Sequence, residues 1–186
     1  MKKLLIIDLE STCHERGHEP PEFFSEIIEI GAVLLDIPSR NLDWQWQCLV
    51  KPVLFPNLSE FCVRLTTIRQ AEIDAGLSLA DGLSQLSERI AAEDYRFASW
   101  GNYDRNQFQR NCRHFAIQYP FGPWHLNLKA AFADWVREKP MGMASALAHL
   151  KIPLLGTHHR GLDDARNIAR IASWMLEQGW DPGMTR

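Results

Sequence analysis

The chain has no apolar run long enough to cross a bilayer, no excess of positive charge and no C-x-x-C cysteine pairing. Each absence excludes something. A spanning helix needs roughly 20 apolar residues in a row. The opening MKKLLII run is cut by Asp8, short of that and short of the apolar segment of an export signal. Neither a membrane partner nor export by that route is expected. Twenty Lys and Arg against twenty-three Asp and Glu leave a formal charge of -3, so no global basic field draws in nucleic acid and any such binding has to be local. Cys13, Cys48, Cys62 and Cys112 are scattered, which fits free thiols in a reducing, cytoplasmic setting. Cys13, His14 and His18 lack a second ligand pair at finger-like spacing, so a structural zinc site is rejected.

What the sequence does contain is enough for one globular unit. Its 186 residues are 46% apolar, and no repeat, low-complexity tract or charge block divides them, so a single domain over 1–186 is expected. The continuous apolar run Lys3 to Ile7 reads as a central strand, with Ile27 to Leu35 and Leu42 to Val50 beside it. Trp44 and Trp46 share one face of the third strand, where core or partner packing is expected. Helical patterning follows the Pro-rich stretch 51–56, with Ser59 or Thr66 as caps, and resumes over Leu79 to Ala92. Tyr95 to Trp100 reads as a strand, and Phe108, Cys112 and Phe115 then repeat at helical spacing from Asp104. A weaker strand near Trp124 to Leu128 precedes helices around 128–137 and 142–150. The last helix is marked by an apolar stripe from Leu162 to Leu176. Three strands followed by alternating strands and helices imply an α/β fold with a mixed sheet covered by helices.

Asp8 and Glu10 lie two apart at the end of the first strand, so extended geometry turns both carboxylates to the same side. Two anions at the end of an apolar strand are costly without a cation, and hard divalent ions take such oxygen ligands. Asp104 follows the strand 95–100 across a three-residue link and opens a helix. Taken alone, Asp104 reads as a capping or first-turn residue, and so do Asp163 and Asp164 at the start of the last helix. Position alters that reading, because sites in open α/β sheets form outside the carboxyl ends of strands, where Asp8, Glu10 and Asp104 all fall. His159 lies five residues before Asp164 on the approach GTHHRGLDDARN. An imidazole beside a carboxylate cluster suits removal of a proton from water, and the adjacent His158 is its rival.

These residues resemble the DEDDh 3′-5′ exonucleases. Their D-x-E motif matches Asp8-Leu9-Glu10, their middle Asp matches Asp104, and H-x-A/G-x-x-D matches His159, Gly161 and Asp164 but not His158. The segments DLESTC, EIIEIGAVLLD, FCVRLTTI and GLDDARNIARI further resemble the histone-mRNA and small-RNA trimming exonucleases and their bacterial KapD-like relatives. One departure is Thr67, where many members of that subgroup have glycine.

The resemblance implies a ribonuclease H-like fold, a five-stranded mixed sheet whose second strand is antiparallel. It implies two Mg²⁺ or Mn²⁺ ions: Asp8 bridging both, Glu10 and Asp164 on the ion that binds the attacking water, and Asp104 on the other. His159 is then the general base, and nucleoside 5′-monophosphate the product. Single-stranded RNA or DNA 3′ ends are the implied partners, with RNA favoured. A DNA enzyme of proofreading type and a non-catalytic binding module on the same fold are the competing readings. For the terminal nucleotide, Phe61 and Tyr103 are stacking candidates, the backbone of Leu9, Ser11 and Thr12 is expected at the sugar, and Thr66 is a further contact. Arg160 and Arg166 are possible phosphate contacts unless they are merely solvated.

Overall fold

The computed structural model describes residues 2–183. Three strands come first: β1 (Lys3–Ser11), β2 (Ile27–Asp36) and β3 (Leu42–Leu49). Helices α1 (Glu60–Thr66), α2 (Gln70–Asp74) and α3 (Leu79–Ile90) lead to β4 (Tyr95–Ser99) and α4 (Tyr103–His114). The chain continues through β5 (His125–Asn127), α5 (Leu128–Val136), α6 (Met143–His149) and α7 (Gly161–Glu177). The strands form one five-stranded sheet in the order β3-β2-β1-β4-β5. Only β2 runs against the others, since it pairs antiparallel with both β1 and β3 while β1-β4 and β4-β5 are parallel. The mixed sheet expected from the pattern is present.

Alternation along β1 creates two cores. Leu4 and Ile6 face a cluster completed by α5, α6 and α7, while Leu5, Ile7 and Leu9 face one completed by α3 and α4. The same parity puts Asp8 and Glu10 in line with Leu4 and Ile6, on the α7 side. Trp46 is buried in the second core with Trp44 packed against it, as the strand pattern indicated.

Ser59 caps α1, its hydroxyl accepting from the Cys62 N–H at 3.0 Å. Thr66 is not a cap. It closes α1, fully buried, donating to the Cys62 carbonyl at 2.9 Å and accepting from the Ile68 N–H at 3.2 Å. The short helix α2, capped by Arg69, had no distinct sequence signal.

Helix α7 approaches the sheet at a pair of glycines. A Cβ on Gly31 would stand 2.0 Å from the Gly161 carbonyl carbon and 2.1 Å from the Leu162 nitrogen. One on Gly161 would meet the Asp8 carbonyl oxygen at 2.9 Å. Backbone therefore rests on backbone, which holds the first turn of α7 over the end of β1. The substitution Gly31→Ala should lift this turn and cost about 3 kcal/mol, as forced overpacking does. Urea unfolding measures the loss; an unchanged midpoint would contradict the contact.

Candidate active site

The carboxyl ends of β1 and β4 and the first turns of α4 and α7 meet at a cleft of about 490 Å³. Asp8, Glu10, Asp104, Asp164, His158 and His159 all line it. Asp8 and Glu10 arrive by strand parity, and Asp164 by the seating of α7 on the two glycines. Ligand oxygens of Asp8, Glu10 and Asp164 lie within 4.8 Å of one another.

Asp104 enters from the opposite helix layer. Its Oδ1 accepts the Leu9 N–H at 3.0 Å, beyond the last β1-β4 pair, Ile6 with Ala98. The rest of its helix face is a buried polar ladder: Gln107 donates to the Ser11 hydroxyl at 3.0 Å, and Asn111 accepts the Ile27 N–H at 3.1 Å. These bonds fasten α4 to the strand ends that carry the other acids, a role that the apolar pattern of α4 did not disclose.

The electrostatics are those of like charges in a dry place. Glu10, Asp104 and Asp164 are 8%, 3% and 4% exposed. Burial, reinforced by Glu29 and Asp164, pushes the Glu10 carboxyl up to about 8. Burial raises Asp104 to about 6 against the opposing Leu9 N–H. Asp8 is raised well above the carboxylate range, by burial and then by Asp104, Glu10 and Asp164. Burial also raises Asp164, opposed by the His159 N–H and by His158. One oxygen of Asp164, Oδ1, is buried without a hydrogen-bond partner. An orphaned carboxylate oxygen beside two unneutralised acids fits a hard divalent cation, which prefers such oxygen ligands.

The two histidines stack with ring centroids 4.0 Å apart. It is the ring of His158 that reaches Asp164, Nδ1 to Oδ2 at 2.8 Å, whereas His159 engages the same oxygen through its backbone N–H at 2.9 Å. Burial and then His158 lower the His159 pKa against the opposing pull of Asp164, which favours the unprotonated imidazole, the form able to accept a proton.

Other expected contacts are distributed unevenly. Leu9, Ser11 and Tyr103 line the cleft, and Tyr103 is 55% exposed. The Leu9 N–H is held by Asp104 and the Thr12 N–H by the Glu26 carbonyl at 2.8 Å, so neither is free to donate to a sugar. Thr12 and Thr66 are buried and internally bonded, and Phe61 lies outside the cleft lining. Leu65, one turn beyond Phe61, lines it instead, with Trp100 and Ser145. Trp100 directly follows β4, a placement that could have marked it; Ser145 carries no local signal. Arg160 and Arg166 are tied within the protein: Arg160 pairs with Glu29 at 3.3 Å, and Arg166 with Asp163 at 3.0 Å and Gln45 at 2.8 Å.

Comparison with known proteins points the same way. The family model described as Exonuclease (RNase_T) matches residues 5–172. The chain is 34% identical to "ERI1 exoribonuclease 2" of Homo sapiens, over 98% of this chain and 30% of that protein. It is 30% identical to "Probable 3'-5' exonuclease KapD" of Bacillus subtilis, over 90% of this chain and 82% of that one. The chain thus spans under a third of the human relative and most of the bacterial one. The solved nuclease domain of 3'hExo, a DEDDh family member bound to rAMP, superposes with a TM-score of 0.88 at 29% identity, covering 96% of this chain and 93% of that domain. The fold is ribonuclease H-like.

The raised carboxyls make a prediction about pH. A carboxyl whose pKa is higher folded than unfolded holds its proton preferentially in the native state, so stability falls as pH rises toward the folded value. In EDTA, the urea midpoint should drop between about pH 5 and 8, from the ordinary carboxylate range up to the value at which folded Glu10 ionises, by up to about 1.4 kcal/mol per pH unit for each proton that the native state retains. A divalent cation should reverse the loss. A midpoint that rises with pH in EDTA would contradict the assignment.

Proposed function

The chain belongs to the Exonuclease (RNase_T) family, and we propose that it is a metal-dependent 3′-5′ exonuclease acting on single-stranded nucleic acid, RNA in preference to DNA. The observation that carries this reading is the convergence of Asp8, Glu10 and Asp164 within 4.8 Å, in a cleft shared with Asp104 and His159. RNA is favoured because relatives spanning this chain, such as the human one, are named exoribonucleases. The reading takes residues 1–186 as a single exonuclease domain. A reducing cytoplasm suits its four free cysteines.

Asp8, Glu10, Asp104 and Asp164 would hold two divalent cations, Mg²⁺ or Mn²⁺, which when bound supply Lewis acidity at the entering and leaving oxygens of the scissile phosphate. Asp8 would serve both ions, Glu10 and Asp164 would serve the ion at the attacking water, and Asp104 would serve the other. The remaining work falls to the protein. Tyr103, exposed on the cleft wall, offers a ring face to the terminal base. Leu65 and Trp100, which line the same cleft, would flank that base. His159, with its pKa lowered, accepts the proton of the attacking water, and a nucleoside 5′-monophosphate departs. The full DEDDh set is present, which disfavours a non-catalytic binding module.

A 5′-labelled single-stranded RNA with Mg²⁺ or Mn²⁺ should give a ladder shortening from the 3′ end, faster than the matched DNA. No shortening with either ion would overturn the proposal; faster DNA cleavage would overturn the substrate preference. Asp8→Ala should abolish cleavage. His159→Ala should lower kcat by about 10²–10⁴-fold, the range for loss of a general base, with metal binding retained by calorimetry. The stacked neighbour provides the control: a loss of that size in His158→Ala, with His159→Ala unaffected, would move the base to His158.

A further inference from the structure

We infer that Glu29 and Arg160 form a positioning pair that fixes the backbone turn carrying His159. Glu29 stands on β2 opposite Glu10 and is fully buried on the α7 side of the sheet. Within the run EIIEIGAVLLD it is the one charged residue flanked on both sides along its own strand by buried apolar residues or glycine. Such a carboxylate has to be compensated by specific partners.

Its partners all hold the loop before α7 or the neighbouring strand. Oε2 accepts the Gly161 N–H at 2.9 Å and lies 3.3 Å from Nε of Arg160. Oε1 accepts from the Gln47 side-chain amide of β3. With both oxygens engaged by donors, Glu29 is not placed as a metal ligand, and it is absent from the group formed by Asp8, Glu10 and Asp164.

The residue so fixed is strained. His159 has φ of +64°, a left-handed conformation that is unfavourable for a residue bearing a Cβ. It persists because the chain is tied on both sides. The His159 N–H bonds to Asp164 at 2.9 Å, and the two residues that follow, Arg160 and Gly161, are bound to Glu29. Releasing the second tie lets the turn relax and moves the imidazole, while leaving the metal ligands on β1 and α7 in place. A small displacement of a catalytic group can cost a large factor in rate.

This inference rests on His159 being the base, and its test separates the two. Glu29→Gln keeps the shape and one acceptor but removes the charge that holds Arg160. We expect kcat on RNA to fall about tenfold or more, with KM and the half-saturating Mn²⁺ concentration within about twofold of wild type. Adding Arg160→Met to Glu29→Gln should cause little further loss, because members of one unit are non-additive. Amide hydrogen exchange at His159 should accelerate about tenfold in Glu29→Gln while the β1 and β2 amides stay protected. A folded Glu29→Gln protein with wild-type kcat and wild-type exchange at His159 would overturn the pairing, and so would multiplicative losses in the double variant. If Glu29→Gln does not fold, Arg160→Met carries the same measurements. The exchange experiment needs no turnover, so an inactive wild-type protein refutes the enzyme while leaving the positioning pair to stand or fall by its own result.

Discussion

Four carboxyl groups crowd the ends of two strands, and three of them are nearly sealed from water. In that setting each anion raises the protonation tendency of the others. Burial and mutual repulsion set the pKa values of Asp8 and Glu10 well above the carboxylate range. A cation resolves the conflict and protonation merely relieves it, so the cluster couples metal occupancy to stability. The rest of the architecture brings the four groups together against their repulsion. Strand parity fixes two, the polar ladder of α4 fixes the third, and contact between Gly31 and Gly161 lowers the fourth onto them.

Much of this was legible in the sequence. The apolar runs of β1 and β2 announced a covered central sheet, because strands buried on both faces need apolar residues at every position. The two-residue spacing of Asp8 and Glu10 gave their common side, and the capping logic of Asp104 and Asp164 placed them at helix starts. The choice of His159 over His158 came from the resemblance, whose H-x-A/G-x-x-D motif His159 matches and His158 does not. The structure adds that both rings lie in the cleft and that His158 makes the ring contact with Asp164.

What stayed hidden depends on contacts between distant parts of the chain. Thr66 resembled a cap because threonine is a common cap; only the folded helix shows its hydroxyl bonded to Cys62 and Ile68. That Asp104 and Glu26 hold the N–H groups of Leu9 and Thr12 shows only in the folded chain. Glu29 was visible as a charge inside an apolar strand, but its meaning came from Arg160 and Gly161, more than a hundred residues away. Positioning residues are harder to read than ligands, because their chemistry is directed at the protein's own backbone.

The central claim is that the acids converge to hold a divalent cation. Anomalous diffraction from crystals soaked in Mn²⁺ tests it most directly. The account predicts an anomalous peak enclosed by Asp8, Glu10 and Asp164, lost in Asp8→Ala. It would be contradicted by crystals at millimolar Mn²⁺ and neutral pH with no peak there and these carboxyl groups paired to one another through shared protons.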